Sequence, residues 1–307
     1  VQPPSLAALY ELKTSTQPPL EHQLRLLRTI KNDIVGHGQR KKLVVRHGLL
    51  DCLVHLLSSS PDAEVQLQAT LIVASLAEEG SAFVAPILHS NCIQPLLLSL
   101  PPRQSLPKLV TASLRAVNAL AISWTLSPTP DPSFVHHVFT KYTIASFLEI
   151  LRQPLPTTKQ QLHIALTSSL LATCCAYSDQ LRSALVHQGL LDALATNLAS
   201  FATVYNRNPQ SNHAQLDITT LLNAISSIVR HSTYRAHRLI FSNDLRRIFS
   251  HSSDSYPSDP IQTLDYNHQH HRRETNIVPV DSLLPKVMVP LQKSLAFGHH
   301  ALINSRL

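Results

Sequence analysis

The feature that most constrains the fold is a ten-residue apolar pattern that recurs along the chain. It reads GLLDCLVHLL at residues 48–57, returns as GLLDAL from Gly189, and keeps the same apolar skeleton at residues 142–151. A looser copy begins at Ile93. With the anchor of each copy taken as Leu50, Ile93, Ile144 and Leu191, the four copies are separated by 43, 51 and 47 residues. A period of this length predicts stacked helical units, each of which buries its apolar side against its neighbours.

Within each period, the apolar spacing predicts a short helix, a medium helix and a long helix. Residues 64–79 have an apolar face ended by Gly80 and predict a long helix, and we place Leu71 on its buried face. Gly48 and Gly189 stand between short and medium helices, where we expect a positive φ that glycine adopts easily. The chain is therefore predicted to be all-α, with the long helices lining a concave groove and the medium helices forming the convex back.

The same spacing divides the chain into four segments. Residues 1–19 are an N-terminal extension, and residues 20–249 hold about four full repeats with partial units at either end. Residues 250–280 are rich in His, Ser and Pro and predict a long polar surface loop or a disordered segment. Apolar spacing resumes over residues 281–307, where we expect a truncated further repeat, and we expect the chain to be either a fragment of a longer protein or the product of an incomplete gene model.

Charge and cysteine content narrow the classes of partner. The net charge of +7 permits acidic partners, but the basic residues are scattered, so we do not expect nucleic-acid binding. No run of about 20 apolar residues is present, so we expect no membrane partner. Cys174 and Cys175 are adjacent in a predicted helix and point about 100° apart. We expect them to be unpaired core residues in a reducing compartment.

The glycine corner followed by an apolar second helix resembles the armadillo repeat. Residues 48–57 match that pattern, with Asp51 where the family usually has proline, and the resemblance covers about residues 20–245. It implies an armadillo-type right-handed α-solenoid of stacked three-helix repeats. Residues 24–36, which read LRLLRTIKNDIVG, also resemble the first repeat of the armadillo subunit of the GID/CTLH ubiquitin ligases. The core of this second match is Ile30-Lys31-Asn32 with Ile34-Val35-Gly36.

The narrower resemblance implies a function. In that family the protein is a non-catalytic scaffold that joins ring-forming core subunits to an exchangeable substrate receptor, in ubiquitin-dependent protein degradation. The resemblance implies that the partners are the protein subunits of a ligase and its substrate receptor, and that the protein is located in the cytoplasm and the nucleus. Family members are longer, so this chain keeps the N-terminal repeats and we expect it to lack much of the receptor groove. The alternative is an armadillo adaptor for peptides or cargo outside ubiquitination, of the nuclear-transport or signalling type.

Candidate contact residues come from the basic group before the first glycine corner and from asparagines on long helices. The candidate partner-binding residues are Arg40, Lys41, Lys42, Arg46, Asn118 and Asn223. For the basic group, the alternative is a solvated helix face. Importin-like armadillo proteins hold basic peptides with a ladder of Trp and Asn, but the equivalent Asn positions here are Ser75, Ala119 and Cys174. We therefore do not expect a nuclear-import groove.

Enzyme and metal chemistry find little support. The chain has no Gly-rich phosphate loop, no G-x-S-x-G elbow and no H-E-x-x-H helix. We predict no catalytic residues, no cofactor and no metal. The run His268-Gln269-His270-His271, with His299 and His300 further on, has the residue type that zinc binds, but no cysteine lies nearby. We interpret it as a polar surface insertion; a hydrolase or metal enzyme built on it is the remaining alternative.

Overall fold

The computed structural model describes residues 3–14, 18–153, 158–207 and 212–242, and within these ranges every regular element is a helix. The described helices up to Leu239 belong to one compact unit. The helices are α1 (Pro4–Thr14), α2 (Leu20–Ile34), α3 (Gly38–Arg46), α4 (Leu49–Ser59), α5 (Ala63–Ala77), α6 (Val84–His89, after a 3₁₀ turn at Ser81–Phe83), α7 (Ile93–Leu98), α8 (Pro107–Thr125), α9 (Ser133–Val138), α10 (Lys141–Leu151), α11 (Thr158–Cys175), α12 (Asp179–His187), α13 (Leu190–Arg207), α14 (Asn212–Val229) and α15 (Thr233–Ile240).

Four successive sets of three helices correspond to the predicted repeats, although two sets depart from the short, medium and long order of lengths: α6 and α7 have 6 residues each, and α13 and α14 have 18 each. The four sets are α3–α5, α6–α8, α9–α11 and α12–α14, preceded by α1 and α2 and followed by α15. The four long helices of these sets and α2 pack in chain order, each against the next. The prediction of an all-α solenoid of stacked three-helix units is confirmed. The histidine-rich loop at 250–280 and the further repeat at 281–307 lie outside the described residues.

The glycine corners have the backbone geometry that the sequence predicts. Gly48 has φ of 81° and Gly189 has φ of 83°, both in the left-handed region. In each case the preceding short helix ends and a medium helix begins at the next residue. Because a side chain at these φ values clashes with its own backbone, glycine sets the angle at which the two helices meet.

A continuous apolar core runs between the helices of this compact unit, from α1 to α14. Leu27, Ile72, Leu120 and Leu171 come from successive long helices, and all four are fully buried. Each fully buried side chain of this size contributes about 1.5–3 kcal/mol of transfer free energy. Stability therefore arises from contacts between neighbouring units, as expected for a solenoid.

The N-terminal extension contains a helix that the apolar period did not reveal. Helix α1 packs against α2 and α3 and buries Leu9 completely. The backbone N–H of Ser5 donates to the Asp33 carboxylate at 3.2 Å, and Lys13 donates to the carbonyl of His47 at 2.9 Å. The helix covers apolar surface of α2 and α3 that would otherwise meet water.

One face assignment within the long helix α5 is wrong. Leu71 is only half-buried, although Ile72 and Leu76 on the same helix are fully buried. Leu67, one turn before Leu71, is also half-buried. The apolar sequence of α5 hides this division, since leucine occupies both the packed side and the open side of the helix.

Candidate protein-binding face

The long helices leave one side open to solvent. Helices α5, α8 and α11 each pack between two other long helices, and α14 packs against α11. The medium helix of the same repeat covers the back of each long helix. The remaining side carries a stripe of exposed and half-exposed residues three and four apart. We call this surface the long-helix face. Its residues include Arg25, Arg28, Asn32, Leu67, Leu71, Arg115, Ile122, Leu162, Leu166, Ser169, Asn223 and Arg230.

Hydrogen bonds between neighbouring long helices fix their register. The hydroxyl of Ser123 on α8 donates to the carbonyl of Ala77 on α5 at 2.6 Å. On the other flank of α8, the Thr111 hydroxyl and the His163 Nε2 of α11 are 2.8 Å apart. These contacts hold the exposed residues of three helices at set relative heights, which is what a binding surface for another chain requires.

The basic group on α3 does not behave as a single surface. Lys41 is 4% exposed, and its Nζ donates to the Ser75 carbonyl and to Glu79 Oε2, each at 2.7 Å. Arg40 pairs with Asp33. The burial of Lys41 corrects the expectation that it contacts a partner, because its ammonium instead ties α3 to the C-terminal end of α5.

The other two members of the basic group remain accessible. Lys42 and Arg46 are exposed on α3, and no described residue forms an ion pair with either. Helix α3 is the short helix of its unit, so these two side chains lie apart from the long-helix face. Their role as partner contacts stays a prediction.

The two asparagines differ in their surroundings. Asn118 is buried, and its Nδ2 donates to the Leu114 carbonyl of its own helix and to the Leu166 carbonyl of α11, each at 2.9 Å. Its amide is thereby used to join α8 to α11, which corrects the expectation that it contacts a partner. Asn223 is exposed on α14, within the long-helix face, and its role as a contact stays a prediction.

His163 is a buried polar residue that sequence reasoning missed. It is 2% exposed, and its Nε2 lies 2.8 Å from the Thr111 hydroxyl and 3.3 Å from the Pro107 carbonyl. Burial lowers the pKa of His163, an effect partly opposed by the hydrogen bond to Pro107. Eighteen histidines are scattered through the chain, so nothing in the pattern separates this one from the exposed ones.

The cysteine pair is structural, as the sequence predicts. Cys174 and Cys175 are both fully buried and unpaired in α11. Burial raises the pKa of the Cys174 thiol far above its usual range and that of Cys175 to about 12. Thiols in this environment stay protonated and unreactive at neutral pH.

One cavity of about 580 Å³ lies beside the ends of α6 and α8, and its lining includes His89, Trp124, Asp131 and His137. Asp131 accepts hydrogen bonds from the N–H and the hydroxyl of Ser133, and these bonds lower the pKa of its carboxyl. These bonds form a local turn before α9, and the Ser133 hydroxyl donates to a carboxylate and not to a basic imidazole. The arrangement therefore provides no activated nucleophile.

Among the described residues, no three His, Cys, Asp or Glu side chains converge as metal ligands. The histidine run at 268–271 and His299–His300 lie outside the described ranges. No helix in the described part of the chain is both long and apolar enough to cross a bilayer.

Comparisons with known proteins agree with this architecture. Residues 39–78, which span α3–α5, match the family of the Armadillo/beta-catenin-like repeat. No curated protein sequence matches the chain.

The chain is similar in structure to several designed armadillo proteins. One, computationally designed for modular peptide recognition, has a TM-score of 0.63 at 15% identity, covering 83% of this chain and 94% of that one. A designed armadillo protein in complex with the peptide (KR)4 has a TM-score of 0.60 at 14% identity, with coverage of 83% and 94%. Identities this low show the fold alone. The chain thus has the armadillo fold, and its residues 39–78 form a repeat of the armadillo/β-catenin-like type.

Proposed function

We propose that this chain is a non-catalytic scaffold that binds other proteins on the long-helix face. The observation that carries the proposal is the stripe of exposed leucines and basic residues on helices whose other sides are packed. Leu67, Leu71 and Leu162 offer apolar contact there, and Arg28 and Arg115 offer charge. Apolar side chains left half-exposed on a rigid element are a usual feature of protein-binding surfaces.

The scaffold acts through geometry. Successive long helices are joined by packed leucines and by hydrogen bonds such as that from Ser123 to Ala77, so the array resists bending between units. Two proteins bound at different units are held at a fixed separation. This arrangement raises the effective concentration of one partner at the other without any chemical step by the scaffold itself.

The finer proposal is that the chain is the armadillo subunit of a GID/CTLH-type ubiquitin ligase in the cytoplasm and nucleus. Its support is the resemblance of residues 24–36 to the first repeat of that subunit. Within this segment Ile30 and Ile34 are fully buried and lie on the packed side of α2. Arg28 and Asn32 are exposed on the same helix and are the positions at which core subunits of the ligase would make contact.

The test is affinity purification of the tagged full chain from cells, with identification of co-purifying proteins. We expect RING-containing and CTLH-type subunits, and we expect Arg25→Glu combined with Arg28→Glu to lower their recovery severalfold. Lys141→Glu is the matched control, because Lys141 is exposed on the medium helix α10, away from the long-helix face. Absence of all such subunits from the wild-type preparation would refute the ligase assignment.

The second candidate is an adaptor for peptides or cargo outside ubiquitination. It is supported by the similarity to designed armadillo proteins, one described as made for modular peptide recognition. The same purification separates the candidates. Recovery of nuclear-transport or signalling proteins, without ligase subunits, would favour the adaptor.

A further inference from the structure

The loop between α8 and α9 carries two possible phosphate acceptors side by side. Residues 127–130 read SPTP, and the full sequence contains one other serine or threonine directly before a proline, Ser60. Proline-directed protein kinases modify serine and threonine at this position, immediately before proline. The fold holds the three hydroxyl groups differently, and this difference decides which of them a kinase can reach.

Thr129 is the accessible acceptor. Its side chain is exposed, and no described residue forms a hydrogen bond with its hydroxyl. Residues 128–130 form no backbone–backbone hydrogen bond within the described part of the chain, and Pro128 and Pro130 have no N–H to donate. The loop can therefore change its conformation and enter the cleft of an enzyme without breaking a helix.

The fold holds the other two acceptors more firmly. The Ser60 hydroxyl accepts from the Asp62 N–H at 3.3 Å, and the Ser60 carbonyl accepts from Gln66 Nε2 at 2.8 Å. Ser127 is half-buried, and its hydroxyl donates to the Thr129 carbonyl at 3.5 Å. A kinase would have to break these bonds before it could bind either serine, whereas Thr129 requires no such step.

The surroundings of Thr129 can receive a phosphate. Thr129 lines the cavity beside α6 and α8 together with His89 and His137, and both imidazoles are exposed. The hydrogen bonds from Ser133 lower the pKa of the Asp131 carboxyl, and the His137 and His89 imidazoles lower it further, so both rings lie near this loop. A phosphate brings a charge of about −1.5 to −2 and three acceptor oxygens, which imidazole N–H groups can satisfy.

We propose that Thr129 is a phosphorylation site for a proline-directed kinase and that its phosphate is bound by His89 and His137 in the cavity. Thr129 Oγ1 forms a bond to the γ-phosphorus of ATP, the bond between that phosphorus and the β–γ bridging oxygen breaks, and ADP leaves. The hydroxyl proton passes to the catalytic carboxylate of the kinase. The inference goes beyond the proposed function, because it does not depend on what the long-helix face binds.

The test is incubation of the full chain with ATP and a purified proline-directed kinase, followed by tandem mass spectrometry. We expect one phosphate per chain, on Thr129. Thr129→Ala should lose nearly all incorporation, Thr129→Ser should retain it, and Pro130→Ala should lose it although the threonine remains. Ser60→Ala and Ser127→Ala are the matched controls and should be modified as the wild type is. Phosphate mainly on Ser60 or Ser127, or a chain left unmodified, would overturn the assignment.

Phosphorus NMR of the phosphorylated chain tests the position of the phosphate. The second pKa of a phosphothreonine is about 6. We expect it to be lower by about half a pH unit in the wild type than in the His89→Gln, His137→Gln double variant, because imidazolium groups stabilise the dianion to the extent of an exposed ion pair. His136→Gln is the control, since His136 is exposed on α9 but does not line the cavity.

Fluorescence gives a second measure of this position. Trp124 is the only tryptophan of the chain; it lines the same cavity, and its Nε1 donates to the Asp131 carbonyl of the loop at 2.8 Å. Its emission should therefore change when Thr129 is phosphorylated. Equal phosphate pKa values in the wild type and the double variant, or tryptophan emission that phosphorylation leaves unchanged, would refute the binding of the phosphate in the cavity.

Discussion

The burial of Lys41 gives a sharp prediction about stability. Ser75 lies in the last turn of α5, where backbone carbonyls run out of helical N–H partners. The Glu79 N–H is bonded to the Leu76 carbonyl, and the Ser75 carbonyl accepts from Lys41 Nζ at 2.7 Å. The same ammonium donates to Glu79 at 2.7 Å. We expect Lys41→Met, which keeps the length of the side chain, to lower the free energy of unfolding.

The expected decrease in the free energy of unfolding follows from the contacts that Ser75, Glu79 and the lysine stem lose. The buried Ser75 carbonyl would be left without its side-chain donor, which costs about 1–3 kcal/mol. The Glu79 side chain is 33% exposed and regains water, so it adds little. The methionine retains most of the apolar contact of the lysine stem. The expected loss is therefore about 2 kcal/mol, the middle of the range for an unsatisfied buried acceptor.

Urea unfolding of the full chain, followed by far-ultraviolet circular dichroism, measures the loss. Lys42→Met is the matched control, because Lys42 is exposed on the same helix, and it should change stability by less than about 0.5 kcal/mol. Glu79→Gln should destabilise the wild type, because it leaves the buried ammonium without its counter-charge, and should have little effect in the Lys41→Met background. A loss for Lys41→Met no larger than about 0.5 kcal/mol, the usual range for a surface change, would refute the reasoning.

Two further predictions concern packing and pH. Leu76→Ala, at a fully buried position, should lower the free energy of unfolding by about 2–5 kcal/mol in the urea experiment. Leu71→Ala, at a half-buried position, should lower it clearly less. Equal losses would contradict the division of α5 into a packed and an open side. Burial lowers the pKa of His163 below its usual 6.5, so the unfolded chain binds a proton at this residue more readily than the folded chain does. The contribution of the neutral His163 to stability is therefore full above pH 6.5 and is lost as the pH falls below that value. His163→Gln should reduce the loss of stability between about pH 7 and pH 5, and an unchanged pH dependence would argue against a buried neutral imidazole.

Much of the fold could be predicted because it depends on local sequence. The recurrence of the apolar pattern at 48–57 and from Gly189 requires helices that repeat, and the glycines at the corners meet a local steric demand. The burial of Cys174 and Cys175 follows from their position in a predicted helix with apolar neighbours. These properties are decided within a few residues, so the sequence alone determines them.

The candidate site depended on contacts between distant residues. Nothing in the run Arg40-Lys41-Lys42 tells which lysine is buried, because the choice is made by Ser75 and Glu79 at the end of another helix. Asn118 was a plausible contact residue until its bond to Leu166, which lies 48 residues further along the chain, was known. Helix α1 escaped prediction because it precedes the repeating pattern, and its burial comes from packing against α2 and α3.

The sequence by itself determined that this protein is a stack of three-helix units, because helix formation and glycine corners are matters of local spacing and sterics. Only the tertiary structure decided which side chains face solvent. In a solenoid, each unit buries whatever its neighbours cover, so the pattern of one helix alone cannot distinguish the packed Ile72 from the more open Leu71 beside it.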